Sequence, residues 1–251
     1  MRRDDPGARR AVVTDPLEAA RTLIVERRSG ALITGLAHGG RALIDESGVV
    51  IAGHLDASLL EQIRPEALAL VRGEQSGTVA AVDEEFFVEV ITPQPRLLIF
   101  GAGPIAEALC AMATLAGFSV LIGDPRPAFA NTARFSSAAA VMVGWPEQLV
   151  AEMVPDRSSY AVSLLHEARF EDALLPALLE SPAKYIGALG SRGTHAARVE
   201  RLRAGGFSED DMARIHGPVG LDIGAVSPEE IAVAILAEMV SVRRGGTDST
   251  P

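Results

Sequence analysis

Residues 97 to 124 read as a strand, a glycine turn, a small-residue helix and a second strand closing on an acid: Leu-Leu-Ile-Phe-Gly-Ala-Gly-Pro, then Phe-Ser-Val-Leu-Ile-Gly-Asp. That order is the βαβ unit that binds dinucleotides. Gly101 makes the tight turn, Gly103 lets backbone come close to a pyrophosphate, and Pro104 opens the helix. Ala106 is the small third residue of the fingerprint, where helix and strand pack closely. Asp124 follows Gly101 by 23 residues, where a carboxylate would meet ribose hydroxyls and favour NAD over NADP. A lone glycine fingerprint is weak, because glycines mark ordinary turns. Here the flanking pattern carries it.

The same stretch is the longest apolar run and is long enough to span a membrane. Gly101, Gly103, Pro104 and Glu107 interrupt it, so a soluble βαβ unit is expected and no membrane contact. The sequence opens on charged residues with no apolar segment behind them, so no targeting signal is predicted. A net charge of −10 argues against nucleic-acid binding, since little offsets phosphate repulsion. The single cysteine, Cys110, excludes an intrachain disulfide. It fits a reducing cytoplasm and reads as a small buried hydrophobe.

The rest of the chain sorts into two domains. Residues 1–13 read as a flexible tail and 14–92 as a small α+β domain. Asp15-Pro16-Leu17-Glu18 starts a helix running to about Arg28. Short β-like runs follow at 31–36, 41–45 and 49–52, then a helix over 56–72 broken or restarted at Pro65, then runs at 77–82 and 86–91. Thr92-Pro-Gln-Pro95 is the linker. Residues 96–243 alternate strand and helix, with further strands at 138–143, 160–165 and 184–189. This predicts an α/β fold, a Rossmann-like doubly wound parallel sheet covered by helices on both faces. Ser227-Pro-Glu-Glu230 begins a last helix reaching about Val242, and 244–251 read as a second tail.

In such a sheet, ligands bind beyond the carboxyl ends of the strands. Gly190-Ser191-Arg192-Gly193-Thr194-His195 offers helix-start amides, hydroxyls and a guanidinium as an anion cradle. A plain turn with an N-cap fits the same residues. Arg198, Arg201 and Arg203 in the following helix read as a solvated face. His166 stands at a strand end, where an imidazole can act as acid, base or ligand. The segment from His216 to Ala225 holds three glycines, a proline and an aspartate, which force a specific loop. Gly220 and Asp222 are its candidates for a site wall, although Asp222 could equally hold the loop by bonding its backbone. His38 and His54 have no cysteine partners, and no cluster has metal-ligand spacing.

Gly101-Ala-Gly-Pro, Gly123-Asp-Pro-Arg-Pro, Tyr185-Ile-Gly-Ala-Leu-Gly-Ser-Arg, His216-Gly-Pro-Val-Gly-Leu-Asp-Ile-Gly-Ala and Ser227-Pro-Glu-Glu-Ile-Ala together resemble the XdhC/CoxI family over about 95–243. These are accessory factors of xanthine and carbon monoxide dehydrogenases. The resemblance implies a cytoplasmic, homodimeric chaperone rather than a catalyst, and no catalytic residue is assigned. It also implies the molybdenum cofactor as cargo, delivery to a molybdenum hydroxylase apo-subunit, and work with a sulfurtransferase of the cysteine desulfurase type. The N-terminal part departs from the family pattern. Gly-Ser-x-Pro-Arg is absent, and Ala52-Gly53-His54-Leu55-Asp56 stands where relatives have Gly-Gly-Cys, so thiolate chemistry is not available there. The alternative is an NAD(P)-dependent oxidoreductase with His166 or His195 as proton donor. Against it, no Tyr-x-x-x-Lys pair is present.

Overall fold

The computed structural model describes residues 15–245. The tail expected over 1–13 lies outside them, as do residues 246–251. Two compact units meet in sequence between Pro93 and Gln94, within the proline-rich linker.

In the first unit, Asp15 accepts a hydrogen bond from the Leu17 amide and starts helix α1 (Pro16–Val25). Strands β1 (Gly30–Gly35), β2 (Arg41–Asp45) and β3 (Val50–His54) precede helix α2 (Ala57–Gly73). Strands β4 (Gly77–Ala81) and β5 (Glu84–Ile91) follow. The strands form one antiparallel sheet in the order β3-β2-β1-β5-β4. Ala31 and Ile33 pack with Leu60, Ile63 and Ala67 of α2, while Leu32 packs with Ala20 and Leu23 of α1. Both faces of β1 are therefore covered, which suits its unbroken apolar run. The break expected at Pro65 does not occur: α2 is a single helix with Pro65 inside it. The buried stripe of Leu60, Ile63, Ala67 and Val71 offsets the hydrogen bond the proline removes.

The second unit opens with strand β6 (Arg96–Phe100), helix α3 (Pro104–Leu115), and strands β7 (Ser119–Asp124) and β8 (Ala140–Val143). Helix α4 (Pro146–Met153), strand β9 (Ser159–Ser163), helix α5 (Ala168–Leu179) and strand β10 (Tyr185–Ala188) come next. Helix α6 (Arg192–Ala204), the short helix α7 (Glu209–Ala213), strand β11 (Ile215–His216) and helix α8 (Pro228–Arg244) complete it. The sheet is parallel with order β11-β10-β9-β6-β7-β8, so the strand order reverses between β6 and β9. Alternation splits β6 between two cores. Leu97 and Ile99 join residues of α3 and α8, whereas Leu98 and Phe100 join α4 and α5.

Two elements lie outside the sequence expectation. Helix α7 and the two-residue β11 fall in a stretch where no element is expected, and they are too short to produce a periodic pattern. Ser208 and Asp211 form a capping box at the start of α7, the one local signal present. Helix α8 carries the expected capping box of Ser227 and Glu230, and runs to Arg244 with Gly245 in the left-handed region.

Candidate functional site

The glycine turn leaves β6 with Gly101 at φ +108°. A Cβ there would sit 3.0–3.2 Å from the backbone of Leu164 and Leu165, where the chain leaves β9. Only glycine fits both the torsion and the approach. Gly103 is the N-cap of α3, Pro104 is its first residue, and the space beside Gly103 is open. That opening is where a ligand could approach the backbone.

Asp124 has a more confined role than its position implies. Its carboxylate is wholly buried. One oxygen accepts from the Arg126 amide at 2.8 Å and Arg126 Nε at 2.9 Å. The other accepts from the Ala102 amide at 2.8 Å and Arg126 Nη2 at 3.0 Å. All four lone-pair directions are occupied. Burial raises this carboxyl, but the bonds from Arg126 and the two amides outweigh it and hold it below its usual value. Asp124 thus fastens the glycine turn to the end of β7. Arg134 secures the other side, donating to the Ala102 carbonyl at 3.0 Å and to Glu107 at 2.9 Å.

A cavity of about 790 Å³ lies further along the same carboxyl edge. Leu189 after β10, Arg192 of α6, the 216–225 segment, and Ile231, Ala234 and Glu238 of α8 line it. A set of hydrogen bonds centred on Glu238 runs through its wall. Glu238 accepts from the Gly220 amide at 2.8 Å, from the Tyr185 hydroxyl, and from His216 Nδ1 at 3.1 Å. Burial raises the Glu238 carboxyl, yet the three donors lower it further, so it is held below the ordinary range. Burial, then the neighbouring carboxylate, raises Tyr185 well above its usual value, so the hydroxyl stays a donor. The Tyr185 and His216 rings lie 4.5 Å apart.

Glycines let these parts close on one another. A Cβ on Gly217 would be 2.1 Å from His195 Nδ1, and one on Gly187 would be 2.5 Å from Val219. Gly220 has φ +95°, with Ala234 backbone 3.1 Å from where its Cβ would stand.

The structure gathers three of the sequence candidates at this cavity: Arg192, Gly220 and Asp222. Arg192 and Asp222 approach to 3.6 Å across it, both largely exposed. Ser191 and Thr194 are exposed at the start of α6, where Ser191 Oγ accepts from the Thr194 amide at 3.1 Å. Gly101, Gly103, Pro104 and Asp124 sit on the β6–β7 side, and His166 is exposed after β9. None of these lines the cavity.

Arg198 corrects the expectation of a solvated arginine face. It is 1% exposed and pairs with Glu171 at 2.7 Å while donating to the Leu189 carbonyl at 2.8 Å. A buried partner on α5, invisible to a charge count along α6, accounts for the difference. Cys110 is buried in the core, and that burial pushes its thiol up. His54 is exposed at the end of β3, two residues before Asp56 caps α2.

Sequence reasoning misses Tyr185 and Glu238 as site residues, and His216 enters it only as the first residue of a loop. Glu238 leaves a trace, because it follows Ala234 by four residues and Ile235 by three on the apolar face of α8. A carboxylate there needs partners.

This fold agrees with known proteins. Residues 97–239 match the family model described as the XdhC Rossmann domain. Over 158 residues the chain is 37% identical to a probable xanthine dehydrogenase subunit of Bacillus subtilis, covering 63% of this chain and 46% of that protein. It is 31% identical over 151 residues to the molybdenum cofactor insertion chaperone PaoD of Escherichia coli, covering 60% and 41%. The chain thus spans less than half the length of these relatives. A crystal structure of a xanthine dehydrogenase from Bacillus halodurans superposes with a TM-score of 0.66 at 25% identity, over 94% of this chain and 66% of that one. The chain belongs to the XdhC Rossmann-domain family.

Proposed function

We propose that this chain is a maturation factor that binds the molybdenum cofactor and carries it to the apo-subunit of a molybdenum hydroxylase of the xanthine or carbon monoxide dehydrogenase type. The observation that carries this reading is the cavity at the carboxyl edge of the sheet, in a chain related to an insertion chaperone. Its volume of about 790 Å³ falls in the range of sites for drug-sized ligands. Leu189, Ile231 and Ala234 supply an apolar wall for a pterin ring, and Leu221 and Ile223 are exposed in its loop.

Arg192 stands at the same cavity with its guanidinium 89% exposed. Beside it, the first amides of α6 have no preceding turn to bond. Together they suit a terminal phosphate, in a protein whose acidic surface otherwise repels anions. As cargo, the cofactor brings its own metal, and the chain's part is to hold and release it. Such a carrier works in the cytoplasm with a sulfurtransferase and as a homodimer, and NAD(P) has no required place in it. No helix among the described residues is long and apolar enough to cross a membrane.

The test is to purify the protein from a host that makes the cofactor and to measure bound molybdopterin by mass spectrometry. Wild-type protein should retain it. Arg192→Ala should lower affinity by roughly ten- to a hundredfold, equivalent to about 1.5–3 kcal/mol for one charge-assisted bond. Lysine should restore part of the loss, because it cannot form the bidentate pair. Wild-type protein that carries a nicotinamide nucleotide and no molybdopterin would overturn the reading.

A further inference from the structure

Within the cavity, only one polar side chain combines a fixed orientation with an uncommitted atom. His216 ends β11, lines the cavity, and bonds Glu238 through Nδ1 at 3.1 Å. Its other ring nitrogen, Nε2, has no hydrogen-bond partner among the described residues. Glu238 is already an acceptor for the Gly220 amide and the Tyr185 hydroxyl. Kept ionised by these donors, it requires hydrogen on Nδ1. In the neutral imidazole, Nε2 is then a bare lone pair. The Tyr185 ring lies 4.5 Å from the imidazole and tilted 33° to it, and Val219 packs where Gly187 leaves room. A carboxylate fixing the tautomer of a histidine through Nδ1 is a recurrent arrangement where a histidine must present a lone pair at Nε2.

We propose that His216 is the hydrogen-bond acceptor of the cavity, taking an N–H of a pyrimidinone-type ring such as that of a pterin, with Glu238 as the positioning residue that sets its tautomer. The choice of ring rests on the cofactor reading above; the tautomer does not. The remaining charged groups of the cavity, Arg192 and Asp222, are paired with each other at 3.6 Å and exposed. Arg192 suits the anionic end of such a ligand, which would take the place of the exposed Asp222 carboxylate on the guanidinium, and ring recognition is left to the wall around His216. No proton is transferred: the ring N–H donates, Nε2 accepts, and release reverses the bond.

Long-range proton–nitrogen spectra of labelled protein at pH 8 read the tautomer directly. Wild type should show hydrogen on Nδ1 and none on Nε2. In Glu238→Gln, the side-chain oxygen must still accept from the Gly220 amide, which turns the amide nitrogen toward His216. The tautomer should therefore invert to Nε2–H, an effect that mere loosening of the fold would not produce.

Titration with pterin-6-carboxylate, followed by its own fluorescence, should give binding to wild type. His216→Asn keeps a donor near Nδ1 and removes Nε2, so it should bind at least tenfold more weakly at a similar melting temperature. A wild-type tautomer with hydrogen on Nε2, or undiminished pterin binding by His216→Asn, would overturn the proposal. Correct tautomer with no pterin binding overturns the ring assignment. Molybdopterin retained equally by wild type and His216→Asn overturns the role of His216 and leaves the carrier reading standing.

Discussion

Asp124 accepts four hydrogen bonds with no exposed surface, and two of them come from a guanidinium two residues away. Removing the carboxylate strands the buried Ala102 amide and frees Arg126. Asp124→Ala should cost about 2–3 kcal/mol in urea unfolding at pH 7, and Asp124→Asn should cost no less, because an oxygen turned to Ala102 sets the NH2 group against the Arg126 amide and Nε donors. The cost should shrink in acid. Asp124 titrates lower in the folded chain than in the unfolded one. Its stabilisation is therefore complete above the unfolded value of about 3.9 and is lost as pH falls through the folded value. Wild type and Asp124→Ala should converge in stability as the pH drops below about 4. Equal acid sensitivity of the two proteins would show that the carboxylate does not carry this contribution. The position of Asp124 is legible from the spacing of the fingerprint, but its partner is not. Arg126 is visible in sequence only as a neighbour of the acid, and the turn after β7 is what brings its guanidinium back onto the carboxylate.

The loop between β11 and α8 is held at three levels: by Gly217 against His195, by the Gly220 amide on Glu238, and by Gly220 backbone against Ala234. Gly220→Ala adds a Cβ at φ +95° and 3.1 Å from Ala234 backbone. It should destabilise the protein by about 1–3 kcal/mol. Amide hydrogen exchange over 217–224 should accelerate more than exchange in β6 or β9, and uniform acceleration would mean the loop is not an independent element. The sequence makes this loop visible because its glycines and proline have no use in a helix or strand. It hides β11, whose two residues take their identity as a strand from pairing with Ile186 and Gly187. It also hides the role of Glu238, since which carboxylate, tyrosine and histidine meet depends on three elements converging from separate parts of the chain.

At the scale of the whole molecule, the parallel unit is readable because strands β6, β8, β9 and β10 each lead into a helix. The strand order β11-β10-β9-β6-β7-β8, with its direct passage from β7 to β8, is instead set by tertiary pairing that this rhythm does not carry. That order sets the glycine turn at the end of β6 and the cavity beyond β10, with β9 between them. Two strand spacings separate them, about 10 Å. Gly103→Val fills the open side of the turn and should leave the fold and the cavity intact. It should weaken a ligand that carries a nucleotide tail and leave a tail-less pterin phosphate unaffected, as calorimetry with the two can decide; equal loss for both would mean that they share one anchor. On the proposed carrier function the sheet edge would behave as a ruler. A short cargo would be gripped at one mark and a long one at two, so the cofactor's length, rather than its metal, would determine how firmly it is held and which recipient can draw it off.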